Sequence, residues 1–117
     1  MKDCCLMVLE FQFCRLPNGT DIKEILSVDN IRHWFDDSLY VNDDDAFYKE
    51  YSSIFDCGTY CNMECGVVDT YGINYYAPTL MDGIISKILN EKPTDYQNLT
   101  EWLEKAKKYN GFYILGI

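Results

Sequence analysis

The chain has 117 residues, 48% of them hydrophobic and 25% charged, which is the size and composition of one globular domain and excludes disordered and collagen-like segments. It carries 10 basic and 19 acidic residues, a formal net charge of −9. A surface this acidic repels nucleic acids and anionic lipids, so direct binding to DNA, RNA or a membrane surface is disfavoured. We expect residues 1–117 to form a single domain.

The first residues predict neither export nor membrane insertion. The apolar run 4–9 is far shorter than the roughly 20 residues that span a bilayer, and the Lys-Asp pair before it is a poor start for a signal peptide. We therefore expect a cytoplasmic protein. Cys4, Cys5 and Cys14 are then reduced, buried thiols that pack as small hydrophobic groups.

Three further cysteines, Cys57, Cys61 and Cys65, have the spacing C-x3-C-x3-C. Thiolates at this spacing leave open a zinc or iron–sulfur site, or a redox role. Structural zinc sites use tighter C-x2-C pairs and a fourth ligand, whereas the sole histidine here is His33 and glycines interrupt any helix through the trio. We therefore expect no metal and no other cofactor.

The first predicted strand covers residues 4–14. It ends with apolar side chains alternating with Glu10 and Gln12, the pattern of a strand with one buried face. After a Pro-Asn-Gly turn, Asp21 and Glu24 form a capping box, which predicts a short helix over 22–26.

Helical and strand patterns then follow one another in the middle of the chain. Aromatic spacing predicts a helical turn over 30–35, and the three aspartates at 43–45 precede an apolar stripe that predicts a helix over about 44–55. Residues 66–68 and 71–76 are β-branched or aromatic and bounded by Gly and Pro, which predicts two short strands or one bulged strand.

The last third of the chain has the clearest periodicity. A helix is predicted over 80–89 after Pro78-Thr79, and a second over 95–109 with Thr94 as its N-cap. The apolar run 112–117 is typical of a strand inside a sheet. The predicted fold class is α+β: a small single sheet of about four strands packed by helices, with a long two-helix stretch before a buried C-terminal strand.

Signatures of catalysis are missing from the sequence. A nucleophile needs a base to activate it, and His33 is the only imidazole. There is no P-loop, nucleophile elbow, dinucleotide-binding glycine motif or metalloprotease motif. We therefore expect a protein that is not an enzyme.

The negative charge is concentrated in one segment. Residues 36–56 hold seven acids and one lysine, and therefore carry −6 of the net −9. Tyrosines, which are enriched at protein interfaces, are interspersed among these acids. We interpret the segment as a surface that masks a basic site on a partner. The candidate partner-binding residues are Asp36, Asp37, Asp43, Asp44, Asp45, Tyr48, Glu50, Tyr51 and Asp56.

Several motifs in roughly the C-terminal half carry a family resemblance: YGINYY at 71–76, KP at 92–93, WL at 102–103 and NGFYILGI at 110–117. With these motifs the chain resembles immunity proteins of bacterial contact-dependent growth-inhibition systems. Such proteins are small, often acidic and cytoplasmic, and they neutralise the toxin domain of a cognate secreted effector, in many systems a basic nuclease. The resemblance implies inhibition by occlusion of the toxin's active site, with no catalytic residue in the immunity protein.

Two alternatives to this function stay open. The cysteine trio allows a metal- or redox-responsive protein. The acidic surface allows a nucleic-acid mimic that inhibits a host or phage defence enzyme. The mimic and the immunity protein need the same negative surface, so the sequence does not separate them.

We predict that the purified protein does not bind DNA or tRNA at physiological salt, because its electrostatic field opposes a polyanion. Fluorescence anisotropy with labelled duplex DNA and tRNA measures this directly. Micromolar affinity at that salt would show that the charge interpretation is wrong.

Overall fold

A computed structural model describes residues 8–32, 35–42 and 45–116. The described residues form one antiparallel sheet and four α-helices. The strands are β1 Val8–Phe13, β2 Leu39–Asn42, β3 Gly58–Thr59, β4 Cys65–Gly66, β5 Ile73–Tyr76 and β6 Phe112–Gly116. The helices are α1 Ile22–Ile25, α2 Asp45–Tyr51, α3 Met81–Glu91 and α4 Tyr96–Ala106.

The strand order is β2-β1-β6-β5-β3-β4, and every neighbouring pair is antiparallel. The predicted α+β class, with one sheet packed by helices, is confirmed. So is the inside position of the last strand, because β6 lies between β1 and β5. The expected number of about four strands is wrong: the described residues form six, since β2 has four residues and β3 and β4 have two each, too short to produce a periodic pattern.

One face of the sheet carries the main core, against α2, α3 and α4. Phe11 lies at its centre, with the ring centroids of Phe47, Phe55, Trp102 and Phe112 between 5.5 and 6.5 Å from its own. The two long helices bury the apolar stripes that the sequence predicts, including Ile84, Ile88, Leu99 and Leu103. Aromatic edge-to-face and stacked contacts of this kind add to the burial of apolar area.

The opposite face of the sheet is buried as well, so the prediction that β1 has one buried face is wrong. Glu10 and Gln12 are 0% and 3% exposed. The Ser38 hydroxyl donates to the Glu10 carboxylate at 2.7 Å, and the Gln12 amide donates to the Arg32 carbonyl. The chain between β1 and β2 covers this face and supplies polar partners, so a polar residue in an alternating pattern need not face solvent.

The short helical segments differ in part from the expectation. Helix α1 is present, and Asp21 caps it by accepting the Lys23 N–H at 3.0 Å. The turn expected over 30–35 is instead a 3-10 turn at Val28–Asn30 followed by extended Ile31, while residues 33 and 34 lie outside the described residues. No helix in the described ranges is both long and apolar enough to cross a membrane.

The remaining boundaries shift by a few residues. Helix α2 ends at Tyr51 rather than at residue 55, because irregular turns follow it. Strand β5 confirms the later of the two predicted strands, whereas β4 includes only Gly66 of the earlier one. Asp95, not Thr94, is the residue that precedes α4, so the predicted N-cap is wrong.

The turn between α4 and β6 depends on Gly111, and we predict opposite effects of alanine at two glycines. Gly111 has φ +81°, and an added Cβ would lie 2.1 Å from the Tyr76 carbonyl oxygen. Gly111→Ala should therefore lower the free energy of unfolding by more than about 1 to 2 kcal/mol. Gly83→Ala, inside α3 with nothing within 4 Å, should raise it by about 0.5 to 1 kcal/mol.

Urea unfolding of the two variants beside the parent measures both changes. A Gly111→Ala protein as stable as the parent would contradict the described turn. A Gly83→Ala protein that is clearly destabilised would contradict the open environment of α3 at that residue.

Candidate functional site

A cleft of about 300 Å³ opens at the edge of the sheet, between β2, α2 and the first turn of α4. Strand β2 is an edge strand of the sheet that the described residues form, paired with β1 alone. The floor of the cleft is apolar and its rim is polar. The floor consists of Leu39, Val41, Phe47 and Leu99, Tyr51 forms part of the wall, and the rim consists of Tyr40, Glu50, Thr94, Asp95 and Asn98.

Local sequence patterns explain how this cleft forms. In β2, Leu39 and Val41 point to the helical side of the sheet, because alternate side chains of a strand share a face. In α2, Phe47 and Tyr51 are four residues apart and therefore lie on one face of the helix, where their rings stack at 5.4 Å between centroids. Both pairs pack against the main core, so the floor of the cleft is continuous with it.

Thr94 ties the two helices that border the cleft. Its backbone N–H and its hydroxyl both donate to Oε1 of Glu50, each at 3.0 Å. Its carbonyl accepts a hydrogen bond of 2.5 Å from the Tyr51 hydroxyl. Three hydrogen bonds therefore connect consecutive residues of α2 to the start of α4, and they fix the width of the cleft.

The cleft is electrostatically negative. The pKa of Tyr51 is raised to about 12, mainly by burial and in part by the nearby carboxylates of Glu50 and Asp95, which disfavour a further negative charge. No Lys or Arg is found among the lining residues in the described part of the chain. A cation entering this cleft would meet two carboxylates and several neutral hydrogen-bond acceptors.

The structure places two of the predicted partner-binding residues in this cleft: Glu50 on its rim, and Tyr51, only 6% exposed, in its wall. Tyr48 is partly buried beside Phe47, at 5.8 Å between ring centroids. Asp45 is the first residue of α2. The other predicted residues within the described part, Asp36, Asp37 and Asp56, do not line the cleft. Asp43 and Asp44 lie outside the described residues.

Asp36 precedes helix α2 in the sequence and Asp56 follows it, and both side chains are exposed. Burial and the Glu10 charge raise the pKa of Tyr40, and Asp36 contributes to the same rise, so the Asp36 carboxylate lies on the Tyr40 side of β2. Asp56 instead acts on Cys57, where burial and then the Asp56 charge raise the pKa of the thiol. The acidic segment is thus spread over a surface rather than gathered at one point.

Asp37 is engaged within the protein. Nη2 of Arg15 lies 2.5 Å from the Asp37 carboxylate, and the guanidinium lies 4.0 Å above the centre of the Phe35 ring. The Trp102 indole N–H donates to the Asp37 carbonyl at 2.8 Å. These contacts hold the turn before β2 against α4, so Asp37 has a structural partner and its charge is partly compensated.

Asp95, Asn98 and Thr94 were not among the residues that the sequence singled out for partner binding. Asp95 has left-handed backbone angles, φ 60° and ψ 24°, and follows another left-handed residue, Lys92, in the turn between α3 and α4. Its position beside Glu50 depends on that turn. No local pattern signals that the two carboxylates line one cleft, because they are far apart in sequence.

The cysteines do not form a cluster in the described residues. Cys14 is buried, as expected, and Cys57 is partly buried, whereas Cys61 and Cys65 are exposed on the β3–β4 hairpin. All four are free thiols. The part of the chain that the structure describes contains no group of three or more side chains placed to hold a metal ion.

Comparison with protein families, with curated proteins and with solved structures found no match to this chain.

The raised pKa of Tyr51 makes a prediction about alkaline stability. Because the folded state keeps this phenol protonated, its contribution to stability is complete below pH 10.0, the ordinary pKa, and is lost as the pH rises through about 12. Tyr51→Phe should therefore lose stability less steeply than the parent above pH 10.0, and should be about 1 kcal/mol less stable at neutral pH.

Urea unfolding below and above pH 10.0 tests this expectation. Tyr71→Phe is the matched control, because Tyr71 is 85% exposed and its substitution should leave the pH dependence as it is in the parent. If Tyr51→Phe and Tyr71→Phe behave alike, the Tyr51 hydroxyl is not held as described.

Proposed function

We propose that this chain is a cytoplasmic, non-enzymatic immunity protein. It binds a cognate bacterial toxin domain, a basic nuclease, and neutralises the toxin by occluding its active site. The observation that carries the proposal is a negative surface that the protein does not neutralise itself. Asp36, Asp56 and the cleft residue Glu50 make no ion pair with a cation within the described ranges.

Charge of this kind acts on both the rate and the selectivity of binding. A field concentrated in residues 36–56 steers a cationic partner toward this surface and raises the association rate. A nuclease has a cationic groove for its polyanionic substrate, so a complementary acidic surface competes for the same groove. The polar substrate is then excluded without any chemical step by the inhibitor.

The cleft adds shape to this charge. Burial of its apolar floor by a partner would favour binding. Its polar rim would orient the partner's side chain. Tyr40, 41% exposed on β2, points to the other face of the sheet from Leu39 and Val41 and offers a second aromatic contact beside the cleft. The acidic surface would steer a partner protein and the cleft would anchor it, so together they form a protein-binding face.

The two alternatives have different support. A metal site built from the cysteine trio needs three converging thiols, and the described residues contain no such group, whereas a redox role needs at most two thiols. A nucleic-acid mimic uses the same negative surface as an immunity protein, and the two differ only in their target. Protection of cells against a toxin domain encoded beside this chain distinguishes an immunity protein from a nucleic-acid mimic that inhibits a defence enzyme.

The decisive experiment identifies a secreted effector encoded next to this chain and co-expresses the chain with the toxin domain of that effector. Cells should survive, the two proteins should co-purify as a stoichiometric complex, and the purified toxin should lose its nuclease activity when this protein is added. Survival must be specific, so a toxin domain from an unrelated effector should still kill. Failure to protect against the neighbouring toxin would refute the proposal.

Within that complex, we predict that Asp43→Asn, Asp44→Asn and Asp45→Asn together slow association and weaken its salt dependence. Removal of three charges from a steering surface acts chiefly on the encounter rate. Asparagine is close to aspartate in shape and is equally suited to positions just before a helix, so thermal unfolding should change little. Stopped-flow association at several salt concentrations measures the effect.

A second triple variant distinguishes local charge from net charge. Glu64→Gln, Glu91→Gln and Glu101→Gln remove the same number of charges at exposed residues outside the segment 36–56. This control should associate nearly as fast as the parent. Equal slowing by both triple variants would mean that net charge alone steers the partner and that the interface lies elsewhere.

A further inference from the structure

We propose that the cleft between β2, α2 and α4 receives one arginine side chain of the partner protein. This inference rests on the proposed function and names the group that the site recognises. It follows from the size of the cleft, the chemistry of its floor and the charges on its rim, and each can be examined separately.

The size of the cleft limits its occupant. Pockets for small molecules range from roughly 300 to 1,000 Å³, so a cleft of about 300 Å³ lies at the lower end. It has room for one long side chain and not for a helix or a stack of bases. The cleft is also open at an edge strand, so a side chain can enter while its backbone stays outside.

The floor and the rim match two different parts of one side chain. Leu39, Val41 and Leu99 provide apolar contacts for a methylene stem. A side chain that enters from the edge of the sheet and lies along this floor brings its charged end to the rim, where Glu50 and Asp95 provide negative charge. An anionic or phosphorylated group would be repelled by both carboxylates, and a purely apolar group would leave them without a counter-charge.

Arginine fits this arrangement better than lysine. Both hydrogen bonds that Thr94 donates to Glu50 use Oε1, so the Glu50 carboxylate can accept further hydrogen bonds through Oε2. The acceptors of the rim, including Asp95 and the Asn98 amide, are spread around the cleft. A planar guanidinium with five N–H groups can reach several of them, whereas an ammonium is a strongly hydrated point charge.

A peptide titration tests the cleft without any toxin. The protein, labelled with nitrogen-15, is titrated with blocked Gly-Arg-Gly, and amide chemical shifts are followed. Saturable shifts should occur at residues around Glu50, Thr94 and Asn98, with a dissociation constant on the order of 1 mM for so small a ligand. Blocked Gly-Lys-Gly should bind more weakly, and the neutral citrulline peptide should not bind.

Variants assign the binding to the carboxylates. Glu50→Gln and Asp95→Asn should each lower the affinity for the arginine peptide by about tenfold, as expected for loss of a charged hydrogen-bond partner. Glu50→Gln keeps an oxygen for the Thr94 bonds, and thermal unfolding checks that the fold is retained. Asn98→Arg should block the peptide by placing a cation of this chain at the rim. Glu101→Gln, exposed on α4 outside the cleft, should leave affinity unchanged.

The outcomes separate this inference from the proposed function. Shifts that are absent, that are spread over the other acidic surfaces, or that are as large with the lysine or citrulline peptide would overturn the arginine site. If the arginine peptide gives one of these results while the chain still protects cells from its toxin, the arginine site is refuted and the immunity function is supported. If the peptide binds in the cleft but the toxin is not neutralised, the arginine site is supported and the immunity function is refuted.

Discussion

Burial of both faces of the sheet is the constraint on which the rest of the structure depends. A polar group on a strand that is covered on both sides must find its hydrogen bonds inside the protein. Glu10 therefore bonds to Ser38, the Tyr113 hydroxyl donates to the Ile25 carbonyl at 2.6 Å, and the Tyr76 hydroxyl donates to the Phe55 carbonyl at 2.9 Å. Each of these bonds fixes a connecting segment, so the loops are positioned by the sheet itself.

The candidate site is one product of this arrangement. The Ser38 bond to Glu10 lies directly before β2, and the Asp37 carbonyl is held by Trp102, so the edge strand is anchored at its start. The bonds between Thr94 and Glu50 set the opposite wall of the cleft. The acidic rim is therefore carried by a rigid frame, which favours recognition by a fixed geometry over binding by a flexible charged segment.

Periodic elements were predictable from the sequence, and contacts that depend on the tertiary fold were not. Helix α3, helix α4 and strand β6 have long apolar patterns, and all three are present where they were expected. Strand β2 has four residues between acidic stretches and shows no such pattern. Glu50 could be selected by charge, but its neighbour Asp95 is brought to it only by the turn between α3 and α4, which no local pattern encodes.

The central position of β6 has a consequence for the order of folding. Strand β6 separates the pair β2-β1 from the trio β5-β3-β4, yet it follows all five in the sequence. During synthesis β1 and β5 each keep an unpaired edge until β6 is made, because β6 is their shared neighbour and follows the other described strands. Such non-local pairing slows folding and exposes edges that can join those of other chains. Nascent chains truncated before β6 should therefore be the form of this protein most prone to aggregation.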